Sequence, residues 1–430
     1  MTREIDLPRL DFQKATLDNG LRVVTCEMPH TRSVSISIFV GVGSRYEAAE
    51  RGGISHFVEH LVFKGTERRP APEEISETIE STGGILNAGT EQEFTVYWCK
   101  VASPYFDLAL DLLLDMLRNS RFDAEGIEKE RMVVNEELGM IMDQPSNRLD
   151  ALMDEMLWPD HPLGRDVAGT EESVAAISRD MILDHVEQYY SPANMVISVA
   201  GGVLHKDVVQ QVEELSRDWK RAKQTDWTPF THVQSDPELR IEYRKTQQTL
   251  ISIAVPGVSM VDPEQYALDL LSVILGEGMS SRLFVEIREK HGLAYDVHSG
   301  VSHFSDCGAF GVNAGVDPQR AHDAVQMILH QVSSVRDGVT DDELEKAKRL
   351  STGRLMLRME DSRAISGWMG NLELLLGEIL DVDAVVDSLR SVTSSQIRDV
   401  ARRVLVDDKL NMAVVGPTRA RRRLEGLLKL

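Results

Sequence analysis

Between Ser33 and Val42 every second residue is apolar: Val34, Ile36, Ile38 and Val40 share one side, with Ser35 and Ser37 on the other. That alternation predicts a strand over 33–42. An Asn19-Gly20 pair beside Val23 and Val24 marks a hairpin just before it. A helix at about 52–64 follows. Pro70 and Pro72 break the chain, and a helix at about 73–82 ends at Gly83-Gly84. Strands at 85–88 and 94–101 come next, the second rich in Thr, Val, Tyr and Trp. Helices at about 104–118, 123–143, 146–157 and 179–190 precede a strand at 195–200.

A polar stretch holding Trp227, Pro229 and Pro237 reads as a linker at 221–238, between domains at 1–220 and 239–430. The second half then repeats the order of the first. It has a strand at 250–255, a helix at about 264–275, a short helix at about 281–289, and strands at 294–301 and 309–314. Long helices fill about 318–377. A last helix, a strand at 410–415 and a basic amphipathic helix close the chain.

Short matches support a duplication with an offset of roughly 210 residues. Ser37-Ile38-Phe39-Val40 answers to Ser252-Ile253-Ala254-Val255, and Asn194-Met195 to Asn411-Met412. The expected fold class is α+β, two homologous α/β-sandwich domains in tandem.

Composition narrows the classes. A chain of 430 residues, 42% hydrophobic, has material for more than one core. Net charge −22 argues against nucleic acid and anionic membranes as partners and suits basic peptides. Cys26, Cys99 and Cys307 are too few and scattered for a disulfide framework, which points to a reducing, cytoplasmic setting. Residues 1–6 lack the apolar run of a secretory signal, and no stretch of about 18 apolar residues predicts a membrane span.

The helix at 52–64 carries the chemistry. His56-Phe57-Val58-Glu59-His60 puts two imidazoles four residues apart on one helix face, with Glu59 at its edge. This is H-x-x-E-H, the reverse of the commoner H-E-x-x-H zinc motif. A catalytic zinc site needs three protein ligands and one open position. The helix at 123–143 offers the third. Its apolar stripe contains Ile127, Val134 and Ile141, and Glu130 and Glu137 lie along it, also seven apart. A carboxylate on a helix is ordinarily a surface charge. Two on an apolar stripe call for a cation, since burying them unpaired costs several kcal/mol. Glu137 is the expected ligand and Glu130 the carboxylate supporting a ligand, with Glu136 the weaker choice. In the second half Ala267, Leu270 and Leu271 stand opposite His56, Glu59 and His60, so that copy should bind no metal.

Taken together, these segments resemble the pitrilysin, insulinase and mitochondrial processing peptidase family of inverted zincins. The resemblance rests on Gly52-Gly53-Ile54-Ser55-His56-Phe57-Val58-Glu59-His60 through Thr66, on Gly83-Gly84-Ile85-Leu86-Asn87-Ala88, on Glu128 through Glu137, on His161 through Arg165 and on Tyr190 through Met195. It covers essentially the whole chain. It implies one zinc ion per chain on His56, His60 and Glu137, Glu59 as general base, and Glu130 as the supporting carboxylate. It further implies that Asn87 and Ala88 lie on a strand to which an extended peptide adds, and that Arg288 and Tyr295, the family's Arg-x6-Tyr pair, bind substrate from the second half. Gly89 departs from the family, where Tyr is frequent, and bears on substrate preference. The same family holds non-catalytic core subunits of a respiratory complex and heterodimeric processing peptidases. The length resembles the short bacterial members and implies pairing as a homodimer. Outside these positions, His298, His303, His322 and His330 read as structural or surface residues, and Gly41-Val42-Gly43 and Gly276-Glu277-Gly278 lack the Lys-Ser/Thr of a phosphate loop.

Overall fold

The computed structural model describes residues 10–220 and 226–430. The hairpin forms where Asn19-Gly20 places it. β1 (Phe12–Thr16) and β2 (Arg22–Glu27) pair antiparallel, and Gly20 takes φ +89°, a conformation that side chains disfavour. With β3 (Ser33–Val40), β4 (Ile85–Thr90), β5 (Thr95–Ala102) and β6 (Met195–Gly201) they form a sheet in the order β1-β2-β6-β3-β5-β4. β4 is therefore an edge strand, hydrogen-bonded to β5 alone within the sheet.

The second sheet contains β7 (Glu238–Tyr243), β8 (Thr249–Pro256), β9 (Ala294–His303), β10 (Gly308–Val316) and β11 (Asn411–Gly416). Its order, β7-β11-β8-β10-β9, repeats β2-β6-β3-β5-β4 strand for strand. Even the single parallel pair recurs, β7 with β11 answering to β2 with β6. The repeat is thus a repeat of topology. Ala267, Leu270 and Leu271 are buried among apolar neighbours in the helix Gln265–Gly276.

Neither sheet leaves its second face open. On β3 the serines alternating with Val34, Ile36 and Ile38 are as buried as the apolar side. The helix Ser362–Leu376 covers them: Ser35 and Ser362 hydroxyls lie 2.9 Å apart, Ser37 and Ser366 2.8 Å, and Ser198 donates to Ser366 O at 2.7 Å. Gly370 permits this approach, since a Cβ there would sit 2.3 Å from the Phe39 ring. In the second sheet Ala254, Ala309 and Ala413 form a flat floor for Leu149, Leu152, Met153 and Met156 of the helix Pro145–Leu157.

Two compact units result, each with a helical segment from the other half of the sequence. One holds the described residues of Met1–Asn135, Val167–Trp227 and Met356–Val385; the other holds Glu136–Asp166, Thr228–Leu355 and Val386–Leu430. The expected linker, 221–238, divides between them at Trp227 and Thr228, and its residues 221–225 lie outside the described residues. The reason for the exchange is the sheets' second faces, whose small residues accept a helix from a distant part of the sequence.

Some elements differ from expectation. The helix Glu171–Ala176 and the strand β7 carry too few buried apolar residues to show a period, and the helix His205–Ser216, with Val208 and Val212 buried one turn apart, is not among the expected elements. The short helix expected at 281–289 is π-wound over Phe284–Lys290. The last helix shrinks to Arg421–Glu425 and ends at Gly426, a poor helix former.

Candidate metal centre

The helix Ile54–Leu61 buries Ile54, Phe57, Val58 and Leu61, three and four residues apart, and leaves His56, Glu59 and His60 half-buried together. Gly53 opens it at φ +87°, where a Cβ would sit 2.4 Å from Ala168 O. The buried carboxylate of Glu47 accepts the Gly53 and Ser55 N–H groups at 2.7 and 2.8 Å. It satisfies two donors that a helix start leaves open and complements the helix dipole. Glu47 escaped sequence reasoning because it lies outside the local spacing of a helix cap.

The two imidazoles converge. His56 Nε2 and His60 Nε2 are 3.2 Å apart, with ring planes at 73°. Ligand atoms about 2.0–2.1 Å from a tetrahedral zinc ion are themselves about 3.3 Å apart, so the separation matches one edge of that tetrahedron. A carboxylate oxygen of Glu137 completes the group, with all three donor atoms within 4.8 Å of one another. Among the described residues no other set of three His, Cys, Asp or Glu gathers in this way. Burial, then the neighbouring His60, pushes the His56 imidazole down to about 4, so it is neutral and able to ligate at ordinary pH.

Glu137 comes from the helix Ala124–Asp143. Ile127, Glu130, Val134 and Leu138 are buried on it, Glu137 is half-buried and Glu136 exposed. Leu138 takes the deep position expected of Ile141, which is only half-buried. A straight helix drifts by about 20° per heptad, so an eleven-residue step holds the face better than fourteen. The division into units falls between Asn135 and Glu136, inside this one continuous helix, so Glu130 and Glu137 ride on the same rod. Arg131 ties it down, donating to Ile177 O at 2.8 Å and to Val174 O.

Glu130 stands behind the imidazoles. Its Oε2 is 3.2 Å from His60 Nδ1, and its Oε1 is 2.7 Å from Lys64 Nζ. A proton on Nδ1, donated to Glu130, leaves the Nε2 lone pair directed at the metal position. Lys64 went unremarked in the sequence; it lies past the end of the helix at Leu61, so helical spacing does not announce its contact with Glu130. Glu59 is held by the next strand: Thr90 Oγ1 donates to Glu59 Oε2 at 2.6 Å. Behind it the Tyr97 and Tyr190 hydroxyls pair at 2.7 Å, and burial pushes both phenols up.

Asn87 and Ala88 lie on edge strand β4, where Asn87 is exposed and its Oδ1 accepts the Ala88 N–H at 2.8 Å. Arg288 and Tyr295 are neighbours in the second unit. The Arg288 guanidinium lies 5.2 Å from the Tyr295 ring centroid and 4.8 Å from that of Phe284, and Tyr295 is 74% exposed. Among the described residues no helix is long and apolar enough to cross a membrane.

Comparison with known proteins places the chain among peptidase relatives. Residues 22–171 match the insulinase family, peptidase family M16, and residues 176–351 match the peptidase M16 inactive domain. An uncharacterized zinc protease of Streptomyces coelicolor is 37% identical over 94% of this chain and 89% of its own length. One from Mycobacterium leprae is 38% identical over 97% of this chain and 94% of its own. The fold is shared with a protease from Helicobacter pylori, at a TM-score of 0.90 and 23% identity over 95% of this chain and 100% of that one.

Proposed function

The chain belongs to the insulinase family of peptidases, family M16, and from that premise we propose that it is a zinc-dependent endopeptidase. The observation that carries the proposal is the 3.2 Å approach of the His56 and His60 Nε2 atoms with the Glu137 carboxylate beside them. In this reading His56, His60 and Glu137 hold one zinc ion per chain, and Glu130 orients His60. Zinc supplies a Lewis acid that acidifies a water molecule toward neutral pH and polarises the scissile carbonyl. Glu59 takes the water proton and delivers it to the leaving amine.

The substrate class follows from the edge strand. An extended peptide can add to β4 beside Asn87 and Ala88, its carbonyl taking over the N–H that Asn87 now accepts. Folded domains cannot present such a segment, so peptides and unstructured segments are the expected substrates, and the net charge of −22 favours basic ones. Arg288 and Tyr295 are assigned to holding the peptide. Their mutual stacking pre-orders a cation beside an exposed phenol. A cytoplasmic setting is part of the proposal, since Cys26 and Cys99 are buried thiols outside any disulfide. Assembly as a homodimer rests on family resemblance alone, and sedimentation velocity tests it.

The deciding experiment is zinc analysis together with β-casein cleavage for the wild type and Glu59→Gln. The expected result is one zinc in both proteins and cleavage in the wild type alone. A wild type that binds no zinc favours the competing reading, a non-catalytic subunit. A Glu59→Gln protein that cleaves at the wild-type rate removes Glu59 from the mechanism.

A further inference from the structure

Thr90 is the last residue of edge strand β4, where its backbone pairs with Thr95 of β5. The turn that follows closes with Glu91 N–H on Phe94 O at 2.8 Å. That turn is fastened to the loop at 43–47. Ser44 N–H reaches Glu91 O at 3.3 Å, Arg45 N–H reaches Gln92 O at 2.8 Å, and the buried Arg45 pairs with Glu93 at 2.7 Å. The contact is so close that a Cβ on Gly43 would sit 2.0 Å from Glu91 O. The same loop supplies Glu47, which holds the start of the Glu59 helix through Gly53 and Ser55.

A closed circuit results. It runs from the helix through Glu47, the loop and the turn to Thr90, and back to the helix across the 2.6 Å hydrogen bond from Thr90 Oγ1 to Glu59 Oε2. Both ends of that bond are set by the scaffold, and a β-branched side chain in a strand has few rotamers with which to relax. The geometry points to Thr90 as the positioning residue of the base: by holding Oε2 it fixes the plane of the Glu59 carboxylate and so the direction in which it meets the attacking water. This rests on the reading of Glu59 as general base. It also places the control of the base on the strand to which the peptide is proposed to add.

The test compares Thr90→Val, close to isosteric, with Thr90→Ser, which keeps the hydroxyl, in the zinc-loaded protein. The probe is a quenched fluorogenic peptide taken from a β-casein segment that the wild type cleaves. A misplacement of about 1 Å in a reacting group can cost about a hundredfold, so kcat of Thr90→Val should fall about ten- to a hundredfold. KM should stay within about twofold and zinc affinity should be unchanged. Thr90→Ser should stay within about threefold of wild type. Crystal structures should show one Glu59 carboxylate orientation in the wild type and more than one in Thr90→Val. The assignment is overturned if Thr90→Val keeps wild-type kcat, if Thr90→Ser loses as much as Thr90→Val, if the zinc is lost, or if Glu59 keeps a single orientation in Thr90→Val. Failure of the peptidase reading looks different, with a wild type that cleaves nothing. The Glu59 orientation in the two crystal structures then still decides whether Thr90 fixes that carboxylate.

Discussion

Replacing Glu130 with Gln separates support of the proposed metal ligand His60 from support of the fold. In the wild type the two carboxylate oxygens serve two donors, His60 Nδ1 at 3.2 Å and Lys64 Nζ at 2.7 Å. An amide has one acceptor oxygen. If it faces His60, its NH2 group confronts the Lys64 ammonium; if it faces Lys64, the NH2 confronts the His60 N–H. Either way one donor loses its acceptor, and the charge that strengthens the imidazole as a ligand is gone. Loss of such an outer carboxylate weakens metal binding about 10- to 100-fold, about 1.4–2.7 kcal/mol. The effect on the metal-free fold should be smaller. The Lys64 side chain is 35% exposed and stays hydrated when the pair is lost, and a neutral amide is cheaper to bury than the buried Glu130 carboxylate. Lys64→Met removes that pair and leaves Glu130 on His60, so its zinc affinity should stay within about threefold of wild type. Competition with a zinc chelator measures the affinity, and urea unfolding of the metal-free proteins measures the stability. Wild-type affinity in Glu130→Gln, or a stability loss as large as the affinity loss, would refute the reasoning.

Three further outcomes follow from the same structure. Glu137→Gln should lower zinc affinity by more than Glu130→Gln does, because it removes a charge from the donor group itself; chelator competition ranks the two. Glu93→Ala should destabilise by about 3 kcal/mol, since it strips a carboxylate from the fully buried Arg45, and a denaturant midpoint unchanged from wild type would contradict it. Burial, then Asp150, Asp166 and Glu155, pushes the Asp154 carboxyl up to about 7, above the roughly 3.9 of an unfolded chain. The native state therefore holds the extra proton, and this contribution to stability is intact below about pH 4 and lost as pH rises to about 7. Asp154→Asn should thus be more stable than wild type at pH 8, by up to about 4 kcal/mol, and no more stable at pH 4; equal gains at both pH values would exclude this cause.

The local part of the molecule was legible in the residues. Spacing of four placed His56 and His60 on one face, and two carboxylates on an apolar stripe singled out Glu137 and Glu130. Periods of two and 3.6 located most strands and the long helices, because each reports which side of one element turns from water. Paired short motifs were enough to announce a repeated topology. What stayed hidden were contacts between elements far apart in sequence. Ser35 and Ser37 alternate with Val34, Ile36 and Ile38 as small polar residues, yet they lie buried under Ser362 and Ser366. Periodicity shows where small polar residues stand but not that a helix more than three hundred residues later pairs its hydroxyls with theirs. Glu47 on the helix start and Thr90 on the base are of the same kind. Each is one hydroxyl or carboxylate whose partner is chosen by the path of the chain through space. The residue types and their spacing belong to the helix; the 3.2 Å between the two imidazole nitrogens, and the hydrogen bond that holds Glu59 beside them, belong to the fold.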